Sequence, residues 1–439
     1  MGIFFGTDGL RGIANEDLSF ELAYKCGNAL TSVKKNPRVI IGRDTRVSGE
    51  YFTLAVAGGV MSGGGSVVDL GVIPTGGVAY LVRELGADFG VVISASHNPK
   101  EYNGIKIFGS DGYKLSDNEE ESVERYFIRT RISEFSEIGR FRYEPQHTEK
   151  YAGFLASVCP SSLSGLKVVI DGANGAAHRI APELFSSLGA SVTAVECEGD
   201  GKKINEGCGA LYPERISSLV VGCGADIGFA FDGDADRLMI ADSSGRIIDG
   251  DMIIYMLAKY MKAQGKLKQD TVVGTSHTNM AIEDALKREG ISFIRTDVGD
   301  KYVLMKLTEL GLSLGGEQSG HIILKDIHST GDGILTAIAV ACMLKDTGKA
   351  IGELFDIELY PQTNVNLKVN DKLAVMNSAL VSSSLEAVRR KLGERGRVML
   401  RASGTEPKIR IMVESGDREL SEAYARELAD AVVAADAGV

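Results

Sequence analysis

The sequence predicts several doubly wound α/β domains followed by a smaller α+β domain. Three observations carry this. A short apolar run, a glycine-rich polar loop and an amphipathic segment recur along most of the chain. The 439 residues exceed what a single core usually organises. After Tyr360-Pro361 the pattern changes to β-prone segments and a closing amphipathic helix.

Taken in order, Ser19 is placed to cap a helix whose apolar residues Leu22, Cys26, Ala29, Leu30 and Val33 share one face. Val39-Ile-Ile-Gly-Arg43-Asp44, Val67-Val-Asp-Leu-Gly71 and Phe89-Gly-Val-Val-Ile-Ser-Ala95 read as buried strands that run into loops. The polar stretch Tyr143–Lys150 closes a first domain. Lys167-Val-Val-Ile-Asp171 and Ile227-Gly-Phe-Ala-Phe231 are the strands of a second, and Asp249-Gly-Asp251 begins a helix at the next boundary. Tyr360-Pro361 is the third break. The domains are therefore expected over 1–152, 153–250, 251–361 and 362–439. In the last of these, Arg397-Val-Met-Leu400 and Ile409-Arg-Ile-Met-Val413 are strands, and Leu420, Tyr424, Leu428, Ala431 and Val432 line one helix face.

Composition narrows the function classes. Hydrophobic residues make up 44% and charged residues 24%, as in ordinary globular proteins. A net charge of −11 argues against nucleic acid or an anionic membrane as partner. Cys26, Cys159, Cys197, Cys208, Cys223 and Cys342 show no C-x-x-C spacing and read as reduced thiols of a cytoplasmic protein. No signal peptide is visible. The longest apolar stretch, Leu335–Leu344, is about half the roughly 20 residues a membrane span needs.

The chemistry concentrates in loops. Ser96-His97-Asn98-Pro99 ends a strand, where open α/β sheets place their ligands. Pro99 forces a turn there, exposing a hydroxyl beside an imidazole, and Tyr102-Asn-Gly-Ile-Lys106 returns an ammonium to the same neighbourhood. Asp232-Gly-Asp234-Ala-Asp236-Arg237 follows another strand. Three alternate carboxylates repel one another unless a cation sits among them, and hard oxygen donors suit Mg²⁺. An EF-hand is excluded, because Arg237 and Ser243 stand where glycine and glutamate are required. An aspartyl nucleophile and a solvated acidic turn stay open. Gly315-Gly-Glu317-Gln-Ser319-Gly-His321 offers polar groups that can read a sugar, and fits a hairpin turn equally well. Arg401-Ala-Ser403-Gly404-Thr405-Glu-Pro407, with Arg410 beyond it, is a candidate phosphate cradle. An acidic chain that places Arg11, Arg43, Lys106, Lys301, Arg401 and Arg410 in glycine-rich loops is built for an anionic ligand.

These motifs, in this order over essentially the whole chain, resemble the α-D-phosphohexomutase family. Phe-Gly-Thr-Asp-Gly near the start and Gln318 are like its glucosamine branch, and Gln318 argues against the phosphomannomutase/phosphoglucomutase branch. Two segments depart from the family pattern: Gly274-Thr-Ser-His277-Thr-Asn-Met280, and Lys301, which stands in place of arginine.

The resemblance implies four domains around a central cleft, the first three related α/β domains and the fourth small and α+β. It implies a phosphoserine at Ser96, with Mg²⁺ held by the Ser96 phosphate, Asp232, Asp234 and Asp236. His97 or Lys106 would take a proton or stabilise the transferring group, and Arg11 and Arg237 would add positive charge. Glu317, Ser319, His321 and Lys301 would hold the sugar. Arg401, Ser403, Gly404, Thr405 and Arg410 would grip the phosphate that is not transferred. The substrate would be a hexosamine phosphate, the primer a sugar 1,6-bisphosphate, and the protein a homodimer. A catalytically silent sugar-phosphate-binding protein is the alternative from a different class.

Overall fold

The computed structural model describes residues 9–403 and 407–437. These form two compact units, one reaching to His277 and including Gly290–Phe355, the other Thr278–Glu289 with Asp356–Val439.

The first unit contains three sheets. The first comprises β1 (Leu10–Ile13), β2 (Arg38–Arg43), β3 (Ser66–Val72), β4 (Phe89–Ile93), β5 (Tyr102–Gly109) and β6 (Phe141–Tyr143), in the order β1-β5-β4-β2-β3-β6. Its centre, β4-β2-β3, is parallel, while β5 runs antiparallel beside β4 and β1 antiparallel beside β5. The central strands are buried because helices cover them, as their unbroken apolar sequences require. Ser19 accepts a hydrogen bond from the Leu22 amide and opens the helix Phe20–Val33, as its sequence predicts. Leu30 and Phe52 are fully buried in this core; each such side chain contributes about 1.5–3 kcal/mol by transfer from water.

The second sheet comprises β7 (Lys167–Asp171), β8 (Ser191–Val195), β9 (Ile227–Phe231), β10 (Leu238–Asp242) and β11 (Ile247–Ile248), ordered β11-β10-β9-β7-β8. Parallel pairing holds β8-β7-β9, and β10 folds back antiparallel on β9. The third comprises β12 (Thr271–Thr275), β13 (Ser292–Thr296), β14 (Leu314–Gly316) and β15 (Ile322–Leu324), ordered β13-β12-β14-β15. All three sheets thus keep a parallel centre with an antiparallel edge.

The second unit carries β16 (Gln362–Lys368), β17 (Gly396–Ala402) and β18 (Lys408–Ser415) as an antiparallel sheet ordered β16-β18-β17. Its core includes Ile409, Ile411 and Val413 from the central strand, with Val388, Leu428 and Val432 from the helices Ala379–Leu392 and Arg418–Ala437. Alternation along β18 and the helical period of the last segment build an α+β unit, as expected.

The expectation of six unpaired cysteines needs correction. Cys159 and Cys342 are joined across 183 residues, their Cα atoms 6.0 Å apart. Cys159 closes the helix Thr148–Val158 and Cys342 lies in Gly333–Thr347. Neither position has a local spacing signal, because the pairing is created by packing. Cys26, Cys197, Cys208 and Cys223 are free. No described helix is long and apolar enough to cross a membrane.

Candidate active site

The site is assembled at strand ends. Beyond β4 the chain turns so sharply that Ser96, a buried non-glycine residue, adopts a left-handed backbone with φ 53°. Its hydroxyl donates to Asp232 Oδ2 at 2.6 Å and lies 3.2 Å from His97 Nδ1. Asp232, Asp234 and Asp236 follow β9, where Ala235 at φ 56° folds the loop back on itself. All three carboxylates are buried, each offering an oxygen within 4.8 Å of the others.

Such a cluster is electrostatically poor without a cation. Asp234 Oδ1 and Asp236 Oδ1 are buried and have no hydrogen-bond partner. Orphaned carboxylate oxygens converging in this way fit a hard divalent cation. Burial, then the Asp236 and Asp234 charges, pushes the Asp232 carboxyl well above its ordinary range. Burial also works to raise Asp236, but Lys106 and His321 overcome it and hold that group well below the usual range.

The first domain reaches into this loop. Lys106, central on β5 and 2% exposed, donates to Asp234 Oδ2 at 2.9 Å and Asp236 Oδ2 at 3.2 Å. The Thr75 hydroxyl donates to the same Asp234 oxygen at 2.6 Å. Thr75 had no signal in the sequence: a threonine after Pro74 reads as an ordinary helix start. Arg11, on β1, donates to Asn98 Oδ1 at 2.9 Å, and the Arg237 amide donates to Asp232 Oδ1 at 3.2 Å. Burial, then Arg237 and Arg11, pushes His97 down to about 4.

One arginine reading changes. Arg43 does not await an anion. Asp69 on the neighbouring β3 accepts from it at 2.9 and 3.2 Å, and Glu50 at 3.3 Å, so its charge is answered inside the domain. Arg46, three residues further on, turns to the Ser96 loop.

The polar loop Glu317–His321 joins β14 to β15 as a hairpin, closed by the Glu317 amide donating to the His321 carbonyl at 3.0 Å. Gly250, first residue of the helix Gly250–Ala263, packs so closely that a Cβ there would lie 2.0 Å from the Glu317 carbonyl oxygen. Gln318 donates to Asp249 Oδ2 at 3.2 Å, so its side chain fastens the hairpin to the helix cap. Glu317 Oε1 accepts from the Gly299 amide at 2.9 Å, and burial raises its carboxyl. Ser319 is exposed at the tip. His321 is buried, 3.8 Å from Asp236 and 3.6 Å from Asp300, with no hydrogen-bond partner on Nε2. Burial disfavours its charge, yet Asp236 and Asp300 prevail and raise it.

His321 and Lys106 line a cavity of about 720 Å³ together with Lys114, Asp300 and Lys301. Lys114 pairs with Asp300 at 2.5 Å, and Lys301 is engaged by Asp117. Asp300 and Lys114 were not singled out in the sequence; the glycine-aspartate step before Lys301 was the available signal.

The second unit, taken by itself, places Arg401 on β17 directly opposite Arg410 on β18. Like charges facing across strands favour an anion between them. Burial, then Arg410, lowers the Arg401 guanidinium from its ordinary value. Ser403 is buried and its amide donates to the Lys408 carbonyl at 2.8 Å. Gly404 and Thr405 lie outside the described residues, as does the N-terminal Phe-Gly-Thr-Asp segment. His277, beyond β12, is assigned no role.

Four domain models of the phosphoglucomutase/phosphomannomutase family match this chain. They are α/β/α domain I over residues 2–132, domain II over 149–245, domain III over 249–360 and the C-terminal domain over 364–431. A phosphoglucosamine mutase of Alkaliphilus oremlandii is 46% identical over 441 residues, 98% of each chain. Among solved structures, a phosphoglucomutase/phosphomannomutase family protein from Burkholderia thailandensis matches with a TM-score of 0.84 at 24% identity, covering 99% of this chain and 98% of that one. The Aspergillus fumigatus N-acetylphosphoglucosamine mutase, solved with GlcNAc-6P and magnesium, matches with a TM-score of 0.71 at 17% identity, covering 99% and 96%. The two structural likenesses establish a shared fold, and the full-length sequence identity establishes kinship. The chain belongs to the α-D-phosphohexomutase family.

Proposed function

We propose that this chain interconverts glucosamine 6-phosphate and glucosamine 1-phosphate, a phosphoglucosamine mutase activity run through a phosphoserine at Ser96 and a sugar 1,6-bisphosphate. The observation that carries this reading is the Ser96 hydroxyl, 2.6 Å from a carboxylate of a buried triad with two orphaned oxygens. The full-length likeness to phosphoglucosamine mutases supports the amino sugar.

Asp232, Asp234 and Asp236, with the Ser96 phosphate, would hold Mg²⁺. When bound, that ion neutralises phosphoryl charge and polarises the phosphoserine oxygen. Phosphoryl transfer asks mostly for alignment and charge neutralisation. Lys106 is ion-paired with Asp234 and Asp236, which suits charge stabilisation. His97, 3.2 Å from the Ser96 hydroxyl, or Lys106 would accept the sugar hydroxyl proton as the sugar oxygen–phosphorus bond forms and the Ser96 oxygen–phosphorus bond breaks. The bisphosphate then returns its other phosphoryl group to Ser96, and the proton goes back to the released hydroxyl. Arg11 and Arg237 add positive charge around Ser96. Glu317, Ser319, His321 and Lys301 would hold the sugar, and the Arg401–Arg410 strand pair with Ser403, Gly404 and Thr405 would grip the resting phosphate.

The test is turnover of glucosamine 6-phosphate, glucose 1-phosphate and mannose 1-phosphate, side by side, with Mg²⁺ and a sugar bisphosphate primer. A lead of tenfold or more in kcat/KM for the amino sugar, about 1.4 kcal/mol of transition-state preference, upholds the reading. A lead for a neutral sugar moves the activity to another branch of the family. Ser96→Ala should fold and be inactive; near-normal turnover removes the phosphoserine. Sugar-phosphate binding without turnover in the unaltered protein would favour the silent binding protein.

A further inference from the structure

We infer that Arg46 is a positioning residue for the phosphoryl transfer: its guanidinium fixes the backbone of Ser96, and Asn205 holds the same carbonyl from the second domain. This rests on Ser96 being the residue that carries the phosphoryl group.

A guanidinium has five N–H donors. In Arg46 every one is used. Nε donates to Asp44 Oδ2 at 2.9 Å. Nη2 donates to the carbonyls of Ser96 at 2.9 Å and Asn98 at 2.7 Å. Nη1 donates to Tyr102 at 3.0 Å and to the Pro99 carbonyl. Four carbonyls of one loop therefore converge on a single side chain. Arg46 and Asp44 are both 0% exposed at the side chain, so the pair is neutral as a unit and sealed from water. With its donors spent and its charge answered, Arg46 is unavailable to a phosphate.

The same pair controls the other side of Ser96. The Ser94 hydroxyl donates to Asp44 Oδ2 at 2.5 Å and accepts the Ser96 amide at 2.9 Å. Both backbone polar groups of Ser96 thus trace to Asp44–Arg46, one directly and one through Ser94. A left-handed serine needs such surroundings, since its backbone would otherwise relax. Asn205 supplies the second hold: its Nδ2 donates to the Ser96 carbonyl at 2.8 Å and the Asn98 carbonyl at 3.1 Å. Gly233, in the metal loop, leaves room for it. A Cβ there would lie 2.5 Å from the Ser96 carbonyl oxygen and 3.0 Å from Asn205 Nδ2. The serine must stay aligned with Asp232 whether or not it carries phosphate, and these contacts are made by its backbone, which phosphorylation does not alter.

The experiment is steady-state kinetics of Arg46→Lys, Arg46→Ala and Asn205→Ala in the full chain, with hydrogen exchange of the peptide spanning Ile93–Ile105. Lysine keeps the charge and offers three donors in place of a planar fork. In Arg46→Lys, kcat should fall about 100-fold with KM for the sugar phosphate within about threefold, because misplacement of a reacting group costs rate rather than binding. Exchange should rise in that peptide. Guanidinium at sub-denaturing concentration should restore part of the Arg46→Ala rate. Asn205→Ala, which removes one of two holds, should lose about tenfold in kcat. A raised KM with unchanged kcat would make Arg46 a substrate contact and overturn the inference, as would wild-type kcat in a folded Arg46→Lys. If the Arg46 variants do not fold, wild-type kcat in Asn205→Ala overturns it instead. Absence of mutase turnover in the unaltered protein counts against the proposed function; unchanged exchange in Arg46→Lys counts against the hold.

Discussion

Thr75→Val removes one hydroxyl and keeps the shape. That hydroxyl donates to Asp234 Oδ2 at 2.6 Å, and both residues are fully buried. A hydrogen bond to a charged group contributes about 1.5–3 kcal/mol net. Lys106 still donates to the same oxygen at 2.9 Å, so the carboxylate keeps a partner and its charge. What it loses is the second of two donors that fix its plane, while Oδ1 has none. Removing an outer partner of a metal-ligating carboxylate costs about 10–100-fold in metal affinity. Expressed as free energy, that is about 1.4–2.8 kcal/mol, the same range as the lost hydrogen bond. Calorimetric titration of Mg²⁺ and Mn²⁺ into Thr75→Val and Thr75→Ser measures it directly, with urea unfolding alongside. The serine variant should recover most of the affinity. An unchanged affinity in a folded Thr75→Val protein would refute the reasoning, because the hydroxyl would then be orienting nothing that the ion feels.

Gly250→Ala drives a methyl to within 2.0 Å of the Glu317 carbonyl oxygen, so about 1–3 kcal/mol of overpacking should appear as a displaced hairpin and a raised KM for the sugar phosphate; unchanged KM would separate the hairpin from sugar binding. Tyr151→Phe deletes a buried hydroxyl that donates at 2.6 Å to Asp332, the cap of the helix Gly333–Thr347, and should cost about 1.5–3 kcal/mol in urea unfolding; a loss below about 0.5 kcal/mol would refute that account. His328 accepts the Ser329 amide on Nδ1 and donates Nε2–H to the Gly76 carbonyl, so the fold holds it neutral. Burial lowers its pKa below the ordinary 6.5, so the unfolded chain takes up a proton that the folded one refuses. The stability from neutral His328 is complete above 6.5 and is lost as pH falls below it. Thermal melts from about pH 7.5 to about 5.5 should slope less in His328→Gln, and equal slopes would contradict the assignment.

The groups proposed to react were legible because they sit at strand ends. Ser96 and the aspartates follow apolar runs whose burial and direction could be read from β-prone composition alone, and the spacing of Asp232, Asp234 and Asp236 already posed the problem of their repulsion. What held those groups was not legible. Arg43 and Arg46 stand three residues apart in one motif, yet the first is answered by Asp69 and the second by loop carbonyls, partners that no local spacing predicts. Gln318 marks a family branch in sequence and is a fastening to Asp249 in the fold. Thr75 meets Asp234 across 159 residues, and Cys159 meets Cys342 across 183. Periodicity reports which face a residue occupies in its own element. It is silent on which distant loop that face will meet.

The aspartate loop does not complete itself within its own sheet. Asp234 is gripped by Thr75 and Lys106 from the first domain, and the Ala235 carbonyl accepts at 2.9 Å from Gly333, which opens a helix beyond the third sheet. A chain in which each sheet had formed separately would thus show full secondary structure and no working centre. During refolding, recovery of turnover is a clock for the docking of three domains, and it should lag the far-ultraviolet signal. On the ribosome the same logic delays activity until the helix Gly333–Thr347 has emerged, long after the last aspartate has been made.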